Sequence, residues 1–113
     1  MKSITYFIIG SLIVLAIIGF FVFGGSKTNT PSVTTYSLAD VALHNTEADC
    51  WAIVNNKVYN ITTYVPIHPG GPVIIQACGT DGTTMFETKG AKKMPHSPAA
   101  QAKLQEMYLG DLK

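Results

Sequence analysis

A four-residue loop, His68-Pro69-Gly70-Gly71, restricts what this chain can fold into more than any other stretch. Proline fixes its own φ and pushes His68 towards extended backbone, while the two glycines accept positive φ and carry no side chain to hold a ligand off. The loop thus presents one imidazole beside bare backbone, where a flat group can come very close. Pro72 suits the first position of a helix and Gly71 its N-cap, so Val73 to Ala77 is predicted to leave the loop as a helix. A single turn histidine has no function on its own account; its surroundings decide.

Those surroundings alternate strand and helix signals. Cys50 to Val54 and Val58 to Ile61 are apolar and aromatic, and Asn55-Asn56 between them suits the positive-φ positions of a tight hairpin. Trp51 is expected in the core. Upstream, Tyr36 is predicted to open the domain as an edge strand, and Ser37 to cap a helix with Leu38, Val41 and Ala42 on one face. His44-Asn45 ends that helix, which makes His44 a surface or capping residue.

Downstream of the hairpin, Thr63-Tyr64-Val65 is predicted as a helical turn stopped by Pro66. Gly79 suits a left-handed helix end, and Asp81 can cap a short helix carrying Met85 and Phe86. Thr88 to Pro95 has three lysines and no apolar period, and is predicted as a loop. Ser97-Pro98 starts a last helix with Ala102, Leu104, Met107 and Tyr108 on its apolar face, before a strand over Tyr108 to Leu112. The tripeptide Asn60-Ile61-Thr62 fits a glycosylation sequon but overlaps a strand end, and no function is assigned to it.

The amino-terminal part is of another kind. Ile4 to Gly25 holds no charged residue, and a helix of this length spans the roughly 30 Å hydrocarbon layer. The run exceeds the apolar core of a cleaved signal peptide, and Phe23-Gly24-Gly25-Ser26 is a poor cleavage site, so a retained anchor is expected. Residues 1–25 form the anchor, 26–35 a flexible linker and 36–113 the folded domain. Lys2 and the amino terminus flank the short end, which implies a single-pass protein with its N-terminus cytoplasmic and its domain extracytoplasmic, on the periplasmic or cell-surface side. Eight lysines, no arginine and seven acidic residues leave the chain near neutral, without the basic stripe that nucleic-acid binding requires.

Taken in order, the strand with Asp49-Cys50-Trp51, the His68-Pro69-Gly70-Gly71 loop, Gly79-Thr80-Asp81-Gly82-Thr83 with Phe86, His96-Ser97 and Tyr108-Leu109-Gly110-Asp111-Leu112 resemble a cytochrome b5 domain over about two thirds of the chain. The resemblance implies an α+β fold, a small mixed sheet with helices forming a haem cleft, here preceded by one transmembrane helix. It implies one non-covalent haem b with two axial histidines, His68 and His96. Their interval exceeds the family's usual one by a few residues, and the extra length falls in the loop from Lys89 to Pro95, where insertion costs little. Gly70 and Gly71 admit the macrocycle, and Tyr64, Ile74, Ile75, Met85 and Phe86 are the implied pocket residues.

Two histidine ligands leave iron no open position, which implies an electron carrier serving redox partner proteins, not an enzyme with a small-molecule substrate. No Cys-x-x-Cys-His is present, so no covalent linkage is expected. Two alternatives stand beside this reading. One is a small-ligand or haem-binding module of the same fold without a redox role. The other is a zinc site of Cys50, His68, Cys78 and His96, whose wide separations do not resemble close-paired zinc ligands. Two cysteines in an oxidising compartment, bordering elements that such a fold brings together, lead to the expectation of a Cys50–Cys78 disulfide.

Overall fold

A computed structural model describes residues 30–113. The expected membrane anchor, 1–25, and the first four residues of the linker, 26–29, lie outside the described residues. Among the described residues no helix is long and apolar enough to cross a membrane.

Residues Ser32–Lys113 form one unit built on a six-stranded mixed sheet. The strands are β1 (Thr35–Tyr36), β2 (Asn45–Thr46), β3 (Asp49–Val54), β4 (Lys57–Asn60), β5 (Thr80–Asp81) and β6 (Tyr108–Leu112). Their order is β1-β6-β4-β3-β2, and β5 also pairs with β3, beyond the short β2 pairing. Asn55 and Asn56 turn the β3–β4 hairpin at φ 51 and 60, the positive values expected of a two-asparagine turn. The ends of the domain meet in the sheet, because β1 lies parallel to β6 with Thr35 opposite Asp111 and Tyr36 opposite Leu112.

Period-two alternation divides the apolar residues between the sheet's faces. Cys50, Ala52 and Val54 join Tyr59, Ile61, Val65, Ala77, Cys78 and Leu104 in one buried layer. Ile53 instead joins Val58 and Val41 in a second layer, against which Tyr36, Trp51, Leu109 and Leu112 pack. Among the described residues the helix on that second layer is α1 (Leu38–Ala42), whose Ser37 and Asp40 form a reciprocal capping box. Only Val41 of α1 is buried. Leu38 is 62% exposed, so the expected Leu38-Val41-Ala42 face narrows to one residue, as a five-residue helix cannot turn more towards the sheet.

The other layer carries α2 (Thr83–Thr88), α3 (Pro98–Gln105) and 3-10 segments over Val65–Ile67 and Gly71–Ala77. Three expectations need correction here. Pro66 lies within the first turn of the Val65–Ile67 segment and does not stop it, because the first turn of a helix needs no N–H. The segment after Gly70 is a 3-10 run from Gly71, not an α-helix. The folded unit also begins before residue 36. Asp111 N–H donates to the Thr34 carbonyl at 3.0 Å, and Thr34 lies directly against the backbone of Gly110, where a Cβ has no room. On α3, Leu104 is buried while Ala102 is exposed, and Tyr108, expected on the same face, is an exposed residue that opens β6.

Cys50 and Cys78 are joined by a disulfide with Cα atoms 4.7 Å apart. It ties β3 to the end of the 3-10 run that follows the His68 loop.

Candidate functional site

His68 sits where the Val65–Ile67 segment ends, with extended backbone at φ −61 and ψ 122, as a residue before proline requires. The Gly71 N–H donates to the His68 carbonyl at 2.9 Å and closes the loop. The imidazole folds back over that same loop, its Nδ1 lying 3.0 Å from the Gly71 carbonyl oxygen. A carbonyl only accepts, so Nδ1 carries the proton, and the neutral ring keeps its lone pair on Nε2.

His96 is held in the same manner from the other side. Its backbone N–H donates to the Phe86 carbonyl at 3.2 Å, and its Nδ1 donates to the same oxygen at 2.6 Å. The two rings are half-buried, with centroids 6.4 Å apart and planes tilted by 34°. One metal ion between them fits that spacing: two metal–imidazole bonds of about 2 Å each, with the distance from each nitrogen to its ring centre, reach about 6 Å. Loops distant in sequence therefore supply two imidazoles in one tautomer, spaced for a shared metal.

Tyr64 meets the His68 ring edge-on at 5.8 Å, and Phe86 stacks on His96 at 4.5 Å with planes 3° apart. A Cβ on Gly70 would lie 2.7 Å from Cε1 of His68, so the ring's seat on the loop depends on this glycine. Gly71 has φ +77, and a Cβ there would face open space. Ile74, Ile75 and Met85 are half-buried and pack against the layer beneath. The fold thus gathers Tyr64, His68, Gly70, Gly71, Phe86 and His96 around one place, while the other three predicted pocket residues pack against the core layer. Sequence reasoning did not find the carbonyls of Gly71 and Phe86 as anchors. The first has a local signal in the three-residue step from His68; the second has none.

The other candidates lie elsewhere. His44 stacks on Trp51 at 3.6 Å, and its Nδ1 meets the Asp49 carboxylate at 2.7 Å. Cys50 and Cys78 are bonded to each other, which removes both thiolates from the alternative zinc set. Among the described residues no group of three or more His, Cys, Asp or Glu side chains could hold a metal ion. An open depression of about 570 Å³ beside Asp49, Asn60, Thr62 and Glu106 contains neither His68 nor His96.

Residues 37–113 match the family described as cytochrome b5-like heme/steroid binding domain. A cytochrome b5 of Borago officinalis is 46% identical over 78 residues, which are 68% of this chain and 55% of that protein. The chain spans about half the length of the curated relatives it matches. Among solved structures, cytochrome b558 of Ectothiorhodospira vacuolata, described as a prokaryotic homologue of cytochrome b5, matches with TM-score 0.67 and 38% identity. That match covers 72% of this chain and 100% of the other. Cytochrome b5 of Ostreococcus tauri virus 2 matches with TM-score 0.58 and 40% identity, over 68% of this chain and 94% of that one. With its sheet, its cleft elements and its histidine loop in the shared order, the chain belongs to the cytochrome b5-like family, whose domains bind haem b without a covalent link.

Proposed function

We propose that this protein is an electron carrier that binds a single haem b between His68 and His96 and exchanges electrons with other proteins. The observation that carries the reading is the pair of imidazoles 6.4 Å apart, each with Nδ1 bound to a backbone carbonyl and Nε2 left for a metal. When bound, haem b supplies a one-electron ferric/ferrous couple. His68 and His96 would hold the iron between them and would leave no position for oxygen or a small-molecule substrate. The Gly71 and Phe86 carbonyls keep the rings in one tautomer and orientation and raise their basicity as ligands. Tyr64 and Phe86 limit ring rotation, and Ile74, Ile75 and Met85 exclude water, which disfavours the extra charge of the ferric state.

The same proposal includes a membrane anchor over residues 4–25, with the N-terminus in the cytoplasm and the haem domain outside it. Its support is the uncharged run from Ile4 to Gly25 and the Cys50–Cys78 bond, of a kind that persists in oxidising compartments.

A reduced-minus-oxidised spectrum of the purified protein tests the reading, with acid-acetone extraction to establish non-covalent haem. The expected result is a low-spin bis-histidine spectrum in both redox states. His68→Ala and His96→Ala should each give a high-spin or haem-poor protein. An unchanged low-spin spectrum in His96→Ala rules out His96 as the second ligand.

A further inference from the structure

We infer that the loop between α2 and His96 is a docking lobe for an acidic partner protein; this deepens the electron-carrier reading and rests on it. The loop is closed on itself: the Met94 N–H donates to the Thr88 carbonyl at 3.1 Å, two residues after the Phe86 carbonyl that holds His96. Between those feet stand Lys89, Lys92 and Lys93, all exposed. The lobe is therefore a cationic projection rooted on the residue that positions one of the two imidazoles.

The charges are not neutralised locally. Among the described residues none of the three lysines takes part in an ion pair; the pairs present are His44–Asp49, Lys57–Asp111 and Lys103–Glu106. Two acidic side chains lie in the neighbouring segments, and both are engaged elsewhere. Glu87 accepts from the Asn55 side chain at the hairpin, and Asp81 accepts from the Thr83 N–H and hydroxyl. The opposite wall adds no counter-charge, since residues 58–80 contain no acidic or basic side chain apart from His68. Lys89 and Lys93 also hold φ of 47 and 52, left-handed values that glycine or asparagine adopt with less strain.

Exposed apolar residues accompany these cations: Met94 on the lobe is 52% exposed, and Ile67 and Val73, on the segments flanking the His68 loop, are 66% and 52% exposed. Apolar contact area together with charge of one sign is the composition of a transient interface steered by complementary charge. The complementary surface is acidic.

The test follows electron transfer from a reduced, acidic plant-type ferredoxin to the ferric haem-loaded protein. One electron leaves the iron–sulfur cluster and reduces ferric to ferrous iron, read at the Soret band. Opposite charges attract less as salt shortens the Debye length, so the second-order rate should fall at least about tenfold between low salt and about 0.5 M salt. The triple variant K89Q/K92Q/K93Q should lose most of that salt dependence, and K89R/K92R/K93R should keep it. Lys103→Gln, on α3 and outside the lobe, should behave as the unaltered protein. A salt-independent rate, or a slope that the triple glutamine variant leaves intact, overturns the docking lobe. The outcomes are separable from the haem reading, because a protein with a normal low-spin spectrum and no salt dependence refutes only the lobe, whereas absence of the spectrum refutes the haem site itself.

Discussion

Gly70 and Gly71 are neighbours with opposite physical roles, which makes them a sensitive probe of the site. Gly70 has φ −78, open to any residue, but a Cβ there would press on the His68 ring at 2.7 Å from Cε1. Gly71 has φ +77 and open space around it, so alanine there costs backbone strain of about 1–2 kcal/mol without touching the imidazole. The expected outcome is a crossed pattern. Gly70→Ala should weaken haem retention and perturb the low-spin spectrum with little loss of thermal stability, and Gly71→Ala should lower Tm while the spectrum is preserved. Equal effects of the two substitutions on the spectrum contradict this assignment. His44, stacked on Trp51 and paired with Asp49, lies outside the site, and His44→Ala should leave the spectrum unchanged.

Elements whose signals are local were legible from the sequence. Asn55-Asn56 turns its hairpin, Ser97 accepts from the Ala100 N–H with Pro98 at the start of its helix, and Gly79 takes a left-handed φ of 74, each from chemistry within a few residues. Elements decided by tertiary packing were not. The run Gly71–Ala77 winds as 3-10 helix, and nothing in Pro72-Val73-Ile74-Ile75 distinguishes that from α. The union of β1 with β6 depends on residues some 75 positions apart in sequence, and the Phe86 carbonyl beneath His96 has no sequence signature at all. The α1 cap is a local feature that can be tested at this scale. Ser37→Ala should cost about 1 kcal/mol, a fall of several degrees in Tm, measured by thermal unfolding. The backbone and hydroxyl hydrogen bonds from Ser37 hold the Asp40 carboxyl below its ordinary pKa. A carboxyl depressed in the folded state contributes stability above its unfolded pKa and loses it as pH falls through the folded one. The difference between Ser37→Ala and the unaltered protein should therefore narrow as pH falls below about 4.

Over the whole molecule, the Cys50–Cys78 bond closes a loop across a sequence separation of 28 and joins the sheet to the wall that carries His68. In the chain-entropy picture, removing it costs about 3.5 kcal/mol, well beyond the effect of Ser37→Ala. Thermal unfolding with and without reductant, with Cys50→Ala/Cys78→Ala as the unbonded reference, should show that loss. Alkylation under denaturing, non-reducing conditions of protein isolated without reductant should label no thiol; two labelled thiols overturn both the bond and the oxidising location proposed from it. His68 lies inside the closed loop and His96 outside it, so the bond constrains one wall of the cleft directly and the other only through packing. The parallel pairing of β1 with β6 has a mechanical consequence. The chain enters β1 at one end of that strand pair and leaves β6 at the other, so a pull on the two termini loads the β1–β6 ladder in shear, its hydrogen bonds sharing the force instead of opening one by one. That force passes directly between the edge strand β1 and its neighbour β6, and the covalent loop and both histidines stand outside its path.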